Sequence, residues 1–235
     1  HVYRVSEWKN EDAKGIVSLW TEALKLDFVN NKQIAYQLAF FISDFKDESL
    51  PEIKPLLLKL LSMSKPDHSF LGKVLAKLIS ADLINEQILW RYIVNDLQPE
   101  DVLEYDFKDK LNCSGHEFGS KNKNFLSEQM KQSKALLDLA INAVEQWSEM
   151  RTRGYQTKNK LRYGFLDKTT YEKAHSQRDM HHQSNLDFLL DSIEIGILYQ
   201  AGLHSEWWQQ NRARLSFNQE GALCYFAVNA LTINI

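Results

Sequence analysis

The sequence predicts an all-α protein: a run of stacked helical hairpins followed by a further helical array or bundle. Three observations carry this. Prolines and glycines are scarce, four and nine in 235 residues, and every proline lies between Pro51 and Pro99. That scarcity, with abundant Leu, Lys, Glu, Gln and Ala, favours helix almost throughout. Leu56, Leu57, Leu60 and Leu61 recur at helical spacing after Pro51, a residue suited to a first helical turn. The segment SMSKPD breaks the pattern, and Phe70, Leu71, Val74, Leu75, Leu78 and Ile79 restart it.

The third observation is repetition. Ile16, Leu19, Trp20 and Leu24 stand 37 residues before Ile53, Leu56, Leu57 and Leu61, and Ile34, Leu38, Ala39 and Ile42 stand equally far before Leu71, Leu75, Ala76 and Ile79. Ala35 matches Gly72, where small residues allow close helix approach. Trp90, Ile93 and Val94 continue the series after Ile53, Leu56 and Leu57. A period of about 35–45 residues with two helices per unit is the pattern of an α-solenoid. The stretch PEIKPLLLKLL…FLGKVLAKLIS resembles one unit of the HEAT and armadillo-like repeats, with Pro51 and Pro55 opening its first helix. The resemblance spans roughly residues 12–112. The Asp and Arg often found near the turn inside such a unit are replaced here by residues such as Ser64 and Ser69. The resemblance implies a non-enzymatic scaffold that binds a protein or peptide partner, acting within a larger protein or assembly.

Two regions follow from this reading: HEAT-like repeats over 1–112, and a C-terminal helical region over 124–235 with a polar, basic insertion at about 151–183. In order, the first helix is expected over 11–25 with Asn10 as its cap, and the second over 31–44. The hairpin at 51–80 comes next. Asn85 should cap a fifth helix, and a further helix, polar and irregular, is expected over 99–111, where the repeat fades. Residues 112–124, NCSGHEFGSKNKN, carry the first strong loop signal. One long helix of about 40 Å is expected over 124–151. The helical pattern resumes at Leu186, with Gly202 as its stop. Ser205 should start a short helix, and Ser216 or Asn218 the last one. The chain begins without Met and ends at Ile235 inside an apolar run, which reads as a piece of a longer protein.

The formal charge of −3 gives no overall nucleic-acid or membrane signature. No stretch approaches the ~20 apolar residues of a membrane span. Two distant cysteines, Cys113 and Cys224, suit free thiols in a reducing, cytoplasmic setting. No phosphate-binding loop, dinucleotide fingerprint, nucleophile elbow or Cys-x-x-Cys pair occurs, so no cofactor is expected and binding is favoured over catalysis.

Three clusters are candidate sites. The first is a basic, tyrosine-containing stretch in which Arg151, Arg153, Lys158, Lys160, Arg162 and Lys168 alternate with Tyr155 and Tyr163. Phosphate contacts plus aromatic stacking are what single-stranded nucleic acid requires. The plainer reading is a solvated loop anchored by its aromatics. The second is Trp207, Trp208 and Arg212: adjacent tryptophans on a helix lie roughly 100° apart, so one is expected to face solvent as a partner hot spot. The third is His175, Asp179 and His182, a weak metal-enzyme alternative. His175–Asp179 and Asp179–His182 stand four and three residues apart, but the set matches no established metal motif.

Overall fold

A computed structural model describes residues 12–23, 25, 38, 42, 45, 47–62, 71–95, 97–104, 106–113, 125–152 and 184–233. Among these residues the chain is all-helical, with nine α-helices and three short 3-10 turns. It forms two compact units that divide between Tyr92 and Ile93.

In the first unit, α1 (Ala13–Ala23) buries Ile16 and Val17. Asp12 Oδ1 accepts from the Gly15 N–H at 2.8 Å, so the cap sits two residues after the Asn10 expected for it. α2 (Leu50–Leu61) packs against α1 and against α3 (Leu71–Ser80). Pro51 lies in the first turn of α2, as its fixed φ suits, while Pro55 inside the helix removes the N–H that would reach the Pro51 carbonyl. Leu50, Ile53, Leu56, Leu57, Leu60 and Leu61 form the buried stripe of α2. On α3, Leu71, Val74, Leu75, Ala76 and Leu78 are buried. Each of these Leu, Ile and Val side chains contributes about 1.5–3 kcal/mol when fully removed from water. Of the expected helix over 31–44, the described residues are Leu38 and Ile42, and both are buried. Leu19 departs from the repeat register: it is 58% exposed, whereas its counterpart Leu56 is buried. Asp82 ends α3 in a left-handed conformation, φ 56°, letting Leu83 N–H bond the Leu78 carbonyl. Asn85 Oδ1 then accepts from Ile88 N–H and caps α4 (Glu86–Val94), as its position predicts.

The second unit begins at Ile93. Residues 99–111 form two 3-10 turns, Pro99–Leu103 and Phe107–Asp109, rather than a helix. Val102, Phe107 and Leu111 of this stretch are buried, whereas Leu103 is 61% exposed. Lys110 donates to Glu104 and Asp101, and these carboxylates hold its ammonium well above the ordinary lysine range. The single long helix expected over 124–151 is two helices, α5 (Phe125–Gln132) and α6 (Lys134–Thr152). Ser133 separates them. Its N–H closes α5 on the Gln129 carbonyl, while its Oγ accepts from Leu136 N–H and caps α6.

α7 (Asn185–Gly202) is the centre of this unit and packs against α5, α6, α8 (Glu206–Ser216) and α9 (Gly221–Ile233). Ser184 and Asp187 form a reciprocal capping box at its start. α5 comes close to α7 at Gly196, where an added Cβ would lie 3.0 Å from the Met130 carbonyl oxygen and from Leu137 Cδ1. Gly202 is the last residue of α7, not its stop; the left-handed residue is His204, φ 47°. Ser205 caps α8, as predicted. α9 begins later than the sequence suggests. Its start is fixed by Glu220, whose carbonyl accepts from Cys224 N–H and whose carboxylate accepts from Ala222 N–H.

Candidate interaction surface

The polar face of α6 meets the end of α8 and the turn into α9. Asn142, Glu145 and Ser148 recur at three-residue spacing, so they line one side of α6. Arg214 Nη2 donates to Asn142 Oδ1 at 2.7 Å and to Glu145 Oε2. Asn218 Nδ2 donates to the other Glu145 oxygen, and Asn218 Oδ1 accepts from Glu220 N–H. Glu220 is 1% exposed, and its carboxylate accepts from Ser148 Oγ and Ala222 N–H. A buried carboxylate is tolerated when its oxygens are met in this way. Above the network lies an open groove of about 470 Å³, lined by Gln146, Glu149, Phe217 and Gln219 together with the Arg214–Glu145 pair. Phe217 is 87% exposed.

A second feature is apolar. α9, GALCYFAVNALTI, contains no charged residue. Its inner face buries Ala222, Leu223, Phe226, Ala227 and Ala230. On its outer face Val228 and Leu231 are exposed, and Cys224 and Tyr225 are half-buried. α7 likewise exposes Ile195 and Tyr199, and Leu203, the residue just after it, continues the four-residue spacing. Lys131 lies 6.0 Å from the Tyr199 ring centroid.

The residues singled out in the sequence fall as follows. Arg151 is bound within the second unit: its Nη1 donates to the Val102 carbonyl at 3.0 Å, and its guanidinium lies 5.0 Å from the Phe107 ring centroid. Arg153, Tyr155, Lys158, Lys160, Arg162, Tyr163 and Lys168 lie outside the described residues, as do His175, Asp179 and His182. Trp207 and Trp208 are both buried, in place of the expected split between core and solvent. Trp207 Nε1 donates to Asp138 Oδ1 at 2.8 Å, which satisfies the indole at the α6–α8 contact. Arg212 is exposed on α8. Among the described residues no group of three or more His, Cys, Asp or Glu is placed to hold a metal ion. Neither Cys113 nor Cys224 forms a disulfide, and no described helix is long and apolar enough to cross a membrane.

The groove and the outer face of α9 were not anticipated. The second had a signal in the sequence, since thirteen residues without a charge cannot supply an ordinary solvated face. The first had none, because it joins residues some 70 positions apart. The chain matches no protein-family model, no curated protein and no solved structure.

Proposed function

We propose that this chain is a non-enzymatic interaction module, a HEAT-like helical array that holds a protein partner against its C-terminal helices. The outer face of α9 carries the reading. A helix that buries one side and leaves Val228 and Leu231 exposed, with no charge on any side, presents apolar surface of the kind that partners cover. The stripe of Ile195 and Tyr199 on α7, continued by Leu203 just after it, adds to it within the same unit. The repeat spacing over 12–112 supports a solenoid, and solenoids act through extended surfaces rather than intrinsic chemistry.

The test is affinity capture from a cell extract with the full chain, alongside a Val228→Asp/Leu231→Asp variant shown by circular dichroism to be folded. A defined partner recovered by the parent chain and lost from the variant is the expected result. Recovery of the same proteins by both would overturn the reading. Titration with single-stranded oligonucleotides at low and high salt serves as a control, and salt-sensitive binding there would replace the proposal with a nucleic-acid function.

A further inference from the structure

We propose that the outer face of the α8–α9 hairpin docks an amphipathic helix of a protein partner, one that carries acidic residues along one edge. This deepens the interaction-module reading, on which it rests, by naming what the partner presents. The apolar element is on α9. Cys224, Val228 and Leu231 stand at i, i+4 and i+7, the spacing at which one helix lays its face on another. Cys224 is half-buried, and Val228 and Leu231 are exposed. α9 itself carries no charge, so charge selection falls to the helices on either side.

α8 supplies a cation. Trp207 and Arg214 turn toward α6, where they meet Asp138 and Glu145. Arg212, two residues before Arg214, is turned about 160° away from it round the helix. It shares its side with Ser216, one turn on, whose carbonyl accepts from Cys224 Sγ at 3.1 Å. That contact marks the edge of α8 that borders the stripe. The chain returns from α8 into α9 through the short turn 217–220, and the two helices pack together. One turn back along α8 and one turn on along α9 therefore set Arg212 beside Val228. Arg212 is exposed, and among the described residues no ion pair or hydrogen bond engages it. The opposite edge of α9 differs in sign: there Asn229 Nδ2 donates to Glu194 of α7 at 3.4 Å. An apolar stripe with a cation on one border and an acid on the other suits a helix of matching polarity. Its apolar residues would cover Val228 and Leu231, and its acids would meet Arg212. A nucleic-acid strand would use Arg212 but leave the stripe uncovered.

The experiment is an NMR titration of the isotope-labelled full chain with a synthetic amphipathic peptide, acetyl-SAQLEAQLEALEQA-amide, which sets leucines at helical spacing and glutamates along one edge. Its counterpart with lysine at each glutamate is the control. Saturable shifts at the amides of Arg212, Cys224, Val228 and Leu231 are expected, with the Glu peptide binding about five-fold more tightly than the Lys peptide. Arg212→Glu should reverse that preference, and the exposure of Arg212 lets the fold be kept, as circular dichroism would show. No saturable shift at these amides, equal binding of the two peptides, or a preference unchanged in Arg212→Glu would each overturn the proposal. Shifts of the same amides with protein concentration alone would assign the face to a second copy of the chain and overturn it too. These failures are separable from failure of the module itself, which is read from partner capture by the parent chain against the Val228→Asp/Leu231→Asp variant.

Discussion

His204 ends α7 in a left-handed conformation that a side chain with a Cβ adopts at a cost of about 1–2 kcal/mol. Its strain is fixed by the turn, because Ser205 N–H must reach back to the Gln200 carbonyl, 3.1 Å away. His204→Gly should therefore raise stability by about 0.5–1 kcal/mol, read from the urea midpoint. Gly202 is the converse case. It lies inside the helix, and a Cβ there meets nothing within 4 Å. Gly202→Ala should give a gain of similar size, about 0.5–1 kcal/mol. The sequence suggested Gly202 as the stop because glycine is the common left-handed residue, but chain geometry placed the turn two residues later. Ser148 shows the opposite sensitivity. It is fully buried and donates to the buried Glu220 carboxylate. Ser148→Ala should cost about 1–3 kcal/mol, and a loss under a few tenths would mean that another donor meets that oxygen.

At the level of elements, the break at Ser133 was the main feature that periodicity hid. The apolar spacing of 124–151 is continuous enough to read as one helix, yet a serine that can cap allows two. Packing then selects the broken form, because α5 lies along α7 at the close approach over Gly196. Gly196→Ala should push α5 away from α7 and lower stability by about 1–2 kcal/mol, despite alanine's better helix propensity. A neutral or stabilising result would show that Met130 yields easily. The second 3-10 turn is held in a related way, with Phe107 edge-on to Trp147 at 6.2 Å and under the Arg151 guanidinium. Arg151→Ala should lower stability by about 1 kcal/mol. Any comparison of oligonucleotide binding that removes Arg151 with its neighbours must therefore separate lost charge from lost packing. The tryptophan pair fits the same lesson. Adjacent helical residues diverge by about 100°, but α8 is enclosed widely enough to bury both indoles.

For the whole molecule, the proposed partner face makes a distinct demand: its residues should matter little to folding. Val228 and Leu231 are 46% and 39% exposed, so Val228→Asp/Leu231→Asp should shift stability by less than about 1 kcal/mol while abolishing capture. A large loss of stability would place these residues in the core of the unit rather than at its surface. The sequence by itself determined the helical class, through scarce Pro and Gly and through leucines at helical spacing. It also determined several helix starts, at Pro51, Asn85 and Ser205, because caps and first turns act over three or four residues. What the tertiary structure decided is which faces are covered. Burial of both tryptophans, exposure of Phe217, and the Glu220–Ser148–Asn218 network depend on contacts between residues far apart in the chain, and local pattern carries no information about them.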